Sequence, residues 1–308
     1  MSGESTAKQA WKTHAALIVV QVAFASQAVE GKIAMSAREV GGEAIAPAAL
    51  AMVRMGGAAF AFLLFTQLFK LRVHVTARDH LVLAGLSILG ISLNQTLFLI
   101  GLRTTTPVSA ALLSVTIPVF TAAMSVVART EKPSWRLAAG LGLALAGVLW
   151  LTGIHTVDRG AVIVTINSLS YSSYLVLSRR TIVRLGAWTV VTWIFVWGAA
   201  LFAPYGVPAL VADAPAWTPR GLRFVAYILV MPTIVAYLCN AWALGRSSPT
   251  LVTIYIYTQP LIAALLSWVQ LGQAVSERVV VAALFILFGV GVVATRPGVG
   301  LRRAQSQS

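Results

Sequence analysis

The sequence predicts an all-α integral membrane protein with ten transmembrane helices in two inverted five-helix repeats. Three observations carry this. Of 308 residues, 58% are hydrophobic and only 10% charged, with mean hydropathy +0.84, whereas soluble domains carry about 25% charged residues. Ten apolar stretches each approach the roughly 20 residues that a spanning helix needs. Finally, the second half repeats features of the first at one fixed spacing.

The stretches fall near 15–37, 46–69, 80–101, 107–128, 134–153, 160–178, 187–208, 222–244, 249–271 and 277–295. The breaks between them hold most of the Arg, Lys, Asp and Glu, with Pro and Gly. Ahead of the first lies a short polar segment, 1–14, and after the last a polar tail, 297–308. The first run lacks a small-residue cleavage site, so it reads as an uncleaved span rather than a signal peptide. The longest connection is 209–221, which leaves no room for a soluble domain between spans. Cys239, the single cysteine, falls within the eighth span and excludes an intrachain disulfide.

A net charge of +14 in a soluble protein would suggest nucleic acid. Its distribution points elsewhere. With the N-terminus in the cytoplasm, the inner segments hold fifteen Lys and Arg and the outer segments six. That asymmetry follows the positive-inside rule and places both termini in the cytoplasm. The expected surroundings are a bilayer, the bacterial inner membrane, and the expected partner is a small-molecule substrate rather than nucleic acid. The sequence does not address oligomeric state.

Residues 101–148 align with 243–290 without a gap. Pro107 falls on Pro249, Thr116 on Thr258, Pro118 on Pro260, Ser125 on Ser267 and Gly147 on Gly289, every pair 142 positions apart. The repeats extend over 15–153 and 160–296, five spans each. An odd number of spans sends the second copy into the membrane from the opposite side. Inverted repeats of this kind place binding sites near the bilayer midplane, between the halves. Pro118 and Pro260 lie mid-span, where each removes a backbone donor and weakens its helix. Both are hinge candidates, with a static kink as the alternative reading.

On these residues the chain resembles the EamA-type transporters of the drug/metabolite transporter superfamily over nearly its whole length. The likeness rests on the two five-span halves and the Lys of VEGKIAM in the first span. The Arg of LAMVRMGGAAF in the second and the T-x-P of spans four and nine complete it. The LIVVQVAFAS…EGKIAM stretch is also similar to the opening of plant nodulin-like relatives. The resemblance implies a secondary carrier, commonly an exporter of amino acids or other small metabolites.

The candidate site follows from polar groups within spans. Glu30 lies seven residues from the outer end of span one, and Arg54 lies seven residues after Pro47 in span two. Both are therefore roughly 10 Å deep at 1.5 Å per residue. A charge there faces the protein interior or water. Three readings of Glu30 stand: an ion pair with Arg54, a lining of the substrate path, or a proton-coupling carboxylate. Lys32, two residues on, points from another face. Further candidates for the path are Gln27 in span one, Asn94 and Gln95 in span three, and Asn167, Tyr171 and Tyr174 in span six. Trp197 in span seven, Asn240 in span eight, and Tyr257 and Gln259 in span nine complete the set. Tyr237 of span eight shares their polar character. Such side chains turn inward, either as glue between helices or as the wall of a wet cavity.

Other signals carry no chemistry. GVGVVA at 289–294 fits a dinucleotide fingerprint but lies inside a span without a preceding strand. His74 and His80 read as solvated loop residues, and no metal-ligand spacing or cofactor motif is present. The expected function is alternating-access transport of a small organic metabolite. Two alternatives are an integral-membrane enzyme acting on a lipid or prenyl substrate and a channel-like facilitator. The enzyme would need several intramembrane carboxylates or a His/Asp set, and Glu30 is the only acid well inside a span, Glu277 standing at the edge of the tenth. The expectation is therefore no catalysis, no metal and no cofactor.

Overall fold

A computed structural model describes residues 2–71, 74–104, 107–130 and 159–271, with isolated positions in 132–146 and 277–288. The predicted fifth and tenth spans and the tail 297–308 lie outside the described residues, apart from those isolated positions.

Every regular element among the described residues is helical. The first four are α1 (Ser2–Met35), α2 (Pro47–Leu68), α3 (Ala77–Thr104) and α4 (Pro107–Leu113 and Thr116–Val127). Then follow α5 (Arg159–Leu185), α6 (Ala187–Asp213) and α7 (Pro219–Arg246). The last, α8, comprises Pro249–Ile254, a 3-10 turn Tyr255–Thr258 and Gln259–Leu271. α1 to α4 cover the first four predicted spans, and α5 to α8 the sixth to ninth. Six are long and apolar enough to cross a membrane: α1 from Trp11, α2, α3, α6, α7 and α8.

Several boundaries differ from expectation. Polar residues before Ala15 continue α1 as helix. α5 runs on through Arg179, Arg180 and Arg184, which were expected in a loop, and the chain turns only at Gly186. That residue has φ +82°, a conformation that costs glycine little and other residues more. α6 continues to Asp213 despite Pro204 and Pro208, so the long 209–221 connection shrinks to Ala214–Thr218. The Asp213 carboxylate organises this corner, accepting from the Ala46 N–H and the Trp217 indole, each at 2.8 Å.

The duplication is visible in the backbone irregularities. Thr76 and Thr218, 142 positions apart, cap α3 and α7 by accepting from the third N–H of each helix. Both helices contain a wide π turn at the same register, Ile88–Ser92 and Val230–Val235. In α7 the cause is Pro232, whose missing N–H leaves the Ile228 carbonyl unclaimed; the Thr233 hydroxyl donates to that carbonyl instead, at 2.7 Å. The T-x-P sites repeat as closely. Thr116 Oγ1 donates to the Leu113 carbonyl at 2.8 Å, and Thr258 Oγ1 to the Tyr255 carbonyl at 2.7 Å. In α4 the hydroxyls of Ser168 and Ser172 of α5 come within 3.3 and 3.0 Å of the carbonyls of Leu113 and Ile117, while lying nearer the carbonyls of Val164 and Ser168 in their own helix.

α2 packs along α6, α3 against α5, and α1 against α7 and α8. Each contact joins the two sequence halves. Leu50, Met55, Ala58 and Phe62 turn inward on α2, while Phe60, Leu64 and Phe65 face out, as a lipid-facing surface requires. Ion pairs also tie the halves, with Asp79 of α3 meeting Arg184 of α5, and Glu43 meeting Arg220 of α7 at 3.5 Å. Glu43 and Arg184 are 141 positions apart, as are Asp79 and Arg220, one short of the 142-residue repeat, so the two pairs sit within one residue of equivalent places with the charges exchanged. More than half the surface of each arginine side chain is exposed, so the pairs fix register more than they stabilise.

Gly90 tests the close packing inside the π turn. A Cβ there would lie 2.5 Å from the Tyr174 ring, whereas one at Gly85 in the same helix would meet nothing. Gly90→Ala is expected to cost about 1–3 kcal/mol through overpacking. Gly85→Ala should be neutral or stabilising by up to about 1 kcal/mol. Thermal unfolding of the two detergent-solubilised variants against the wild type checks the contrast.

Candidate functional site

Gln27 of α1, Arg54 of α2, Asn94 and Gln95 of α3, Asn167 and Tyr171 of α5 and Gln259 of α8 converge on one cavity. Phe24, Phe98, Ser114, Ile117, Tyr237 and Ile256 complete its wall. Its volume of about 60 Å³ gives room for a few water molecules. Three pairs of its walls occupy equivalent repeat positions, 142 apart: Gln95 with Tyr237, Ser114 with Ile256, and Ile117 with Gln259. The cavity therefore lies where the two copies meet, at the breaks in α4 and α8. The interrupted helices bring polar backbone there, and irregular backbone at membrane depth is tolerated where it is buried in protein or lines a cavity.

Arg54 is the cation of this site and is 1% exposed. A charged residue at a helix centre costs about 2.5–3.5 kcal/mol on insertion scales, so its partners matter. Its Nε donates to Thr233 Oγ1 at 2.9 Å and its Nη2 to Gln27 Oε1 at 3.0 Å. The Thr233 acceptor exists because Pro232 turned that hydroxyl toward the Ile228 carbonyl. Among the described residues Nη1 has no hydrogen-bond partner, and both polar atoms of the buried Gln95 amide lack one as well.

On the opposite wall Asn94 Nδ2 donates to Asn167 Oδ1 at 2.7 Å, and the Tyr237 hydroxyl donates to Asn94 Oδ1 at 3.2 Å. Asn240 donates to the Tyr171 hydroxyl at 3.0 Å. Gln259 donates to Gln21 at 2.6 Å. Phe24 meets the Tyr237 ring edge-on, with centroids 5.8 Å apart, so the wall alternates aromatic faces and amides.

The remaining predicted residues lie elsewhere. Glu30 does not pair with Arg54: it accepts from Gln270 of α8 at 2.8 Å. Gln27, one turn below, takes the direction toward Arg54, and Glu30 is rotated past it toward α8. Lys32 reaches the carbonyls of Leu102 and Arg103 at 3.2 and 2.9 Å. A cation placed there complements the unsatisfied end of α3. Tyr174 lies behind the wall, stacked on Tyr171 and against Gly90. Asn240 supports Tyr171 without lining the cavity, and Tyr257 is fully buried with its hydroxyl unpartnered. Trp197 joins Trp193 around His80, its indole donating to the imidazole at 3.3 Å. His80 is thus half-buried between two indoles instead of solvated in a loop. Pro118 and Pro260 are buried beside the cavity's lining residues Ile117 and Gln259.

Phe24, Phe98, Ser114, Ile117 and Ile256 are walls that polarity alone does not find. The repeat register does find Ile117, the counterpart of the predicted Gln259, whereas Ser114 and Ile256 are counterparts only of each other. Phe24 and Phe98 carry no such signal.

The comparisons with known proteins agree with this architecture. The model of the EamA-like transporter family matches residues 11–153 and again 158–295. The chain belongs to the EamA-like transporter family. It is 23% identical over 219 residues to an uncharacterized transporter of Archaeoglobus fulgidus, covering 69% of this chain and 75% of the relative. With the uncharacterized transporter YdfC of Bacillus subtilis it shares 26% over 235 residues, or 75% and 76% of the two chains. The protein WALLS ARE THIN 1 of Arabidopsis thaliana is 22% identical over 246 residues, 67% of this chain and 63% of the plant protein. A solved crystal structure superposes with TM-score 0.73 at 18% identity, covering 92% of this chain and 99% of that one. At that identity the likeness speaks for the fold alone. The EamA-like chain is a multi-pass membrane protein of two-repeat architecture.

Thr233 gives the site its most direct test. Thr233→Val removes both the acceptor for Arg54 and the donor to Ile228, and is expected to cost about 1–3 kcal/mol, the range for leaving a buried polar group unpaired. Thr233→Ser keeps the hydroxyl and should stay close to wild type. Unfolding midpoints of the two purified variants decide between them.

Proposed function

We propose that the protein is a secondary carrier that moves a small organic metabolite, an amino acid or a related solute, outward across the bacterial inner membrane by alternating access. In this reading ten spans form two inverted repeats, 15–153 and 160–296. The segments 1–14 and 297–308 lie in the cytoplasm. The single observation carrying it is the polar cavity at repeat-equivalent positions, centred on the breaks of α4 and α8 and holding a buried cation. Family membership supports transport, and the inner-membrane transporter YedA of Escherichia coli K12, 26% identical over 196 residues, supports the location.

The remaining predicted residues take graded roles. Gln27, Arg54, Asn94, Gln95, Asn167, Tyr171 and Gln259 touch the solute. Tyr174, Asn240 and Tyr257 hold the wall, and Glu30, Lys32 and Trp197 act from the periphery. Pro118 and Pro260 mark the hinges, because a helix without its central backbone bond bends there at least cost.

Counterflow in proteoliposomes tests the reading. Saturable uptake accelerated by solute on the far side is expected for a carrier; unsaturable flux without trans-stimulation would mark a channel and overturn it. Arg54→Gln should lower flux by about tenfold or more, the effect of losing a charge-assisted hydrogen bond, with normal membrane insertion. Glu30→Gln keeps a hydrogen-bonding amide next to Gln270 and should retain most of the flux. Loss of flux in Glu30→Gln together with loss of its pH dependence would restore the proton-coupling role to that carboxylate.

A further inference from the structure

We infer that the cavity recognises the carboxylate of a net-anionic solute with an apolar body, and selects it over the zwitterionic amino acid and over the amine of the same shape. The inference deepens the carrier reading and rests on it for the use made of the site, although binding alone can test it.

The argument begins with charge balance. Arg54 is almost completely buried, yet its two hydrogen-bond partners, Thr233 and Gln27, are neutral. Glu30 is the only acid deep within a predicted span, Glu277 standing at the edge of the tenth, and Glu30 is engaged with Gln270. The other described carboxylates with recorded partners, Glu43, Asp79 and Asp213, are held at helix ends by their own donors. Among the described residues no acidic side chain lines the cavity. A buried guanidinium without a protein anion is completed by an anion that arrives with the solute.

Donor geometry narrows the class. Arg54 Nη1 and the Gln95 amide lack partners, and both residues line the same cavity. One guanidinium edge and one amide N–H match the two oxygens of a carboxylate, the planar recognition at which arginine excels. A phosphate, with more charge and more acceptors, would leave most of its oxygens unserved by a single cation. The cavity of about 60 Å³ holds only a few waters as it stands, so a solute enters as the halves part, and the rest of it then meets Phe24, Phe98, Ile117 and Ile256, which calls for an apolar body. An α-ammonium group, by contrast, would find amides and aromatic faces but no carboxylate. The amino group of an amino acid therefore loses its hydration without a matching charge.

The test uses the purified protein in lipid nanodiscs and two matched sets of probes. One set is 3-phenylpropanoate, phenylalanine and 2-phenylethylamine; the other is hexanoate, norleucine and pentylamine. Binding is read by titration calorimetry and by the shift of the unfolding midpoint. In at least one set the acid should bind about tenfold or more tighter than its amino acid and amine, the difference that charge-assisted hydrogen bonds produce. Arg54→Gln should abolish that preference, and Gln95→Leu should weaken the acid alone. The wild-type ranking decides the matter by itself if Arg54→Gln does not fold. Equal or tighter binding of an amine or amino acid, binding of none of the six, or unaltered acid binding in folded Arg54→Gln would each overturn the inference. Counterflow of the same probes separates the two claims. Acid that binds but never crosses sinks the carrier and leaves this inference standing; phenylalanine or norleucine that crosses while the acids do not has the reverse meaning.

Discussion

The hold on Arg54 organises the middle of this protein. A guanidinium cannot be left bare at membrane depth, and here the two groups that receive it come from different parts of the chain. Gln27 lies on α1, and Thr233 lies on α7 in the other repeat. The second partner depends on a proline: Pro232 frees the Ile228 carbonyl, and Thr233 turns to satisfy it while offering its oxygen to Arg54. A backbone defect in one half thus becomes the anchor for a charge in the other. Arg54 lines the cavity, and its Nη1 is left without a partner among the described residues.

Duplication extends this logic to the whole bundle. The paired features are interruptions rather than smooth helix: the threonine caps, the π turns, the T-x-P breaks. Irregular backbone at membrane depth survives only where it is buried in protein or faces water, so each interruption must find a neighbour or a cavity. Thr116 serves the break in α4, with the hydroxyls of Ser168 and Ser172 close by. The residues flanking both breaks also form the cavity wall. Sites and weak points coincide because the same missing hydrogen bonds create both.

The two ion pairs between the halves show how a duplicated pair of contacts diverges without losing its place. Asp79 with Arg184 and Glu43 with Arg220 lie within one residue of the same two repeat positions, with opposite signs. An interaction that depends only on the product of two charges tolerates that exchange. The cavity is not so symmetric: Gln95 faces Tyr237, and Ile117 faces Gln259. One solute bound across the pseudo-axis presents different groups to each side, which breaks the symmetry where recognition occurs.

Much of this was legible in the chain. Apolar length determined the helical class, since a membrane helix must satisfy its own backbone. The 142-residue spacing determined the relation of the halves, and polarity within spans picked out Gln27, Arg54, Asn94, Gln95, Asn167, Tyr171 and Gln259. Direction around each helix was another matter. Glu30 and Gln27 lie one turn apart, and only the packing of α1 against α7 and α8 decided which of them meets Arg54. Lys32 could be placed near an end but not on the α3 carbonyls it caps. Trp197 looked deep by count, yet the approach of α3 to α6 gave it His80 as a neighbour. Sequence period sets which residues share a face; the neighbour that each face meets is a property of long-range packing, and tertiary structure alone supplied it.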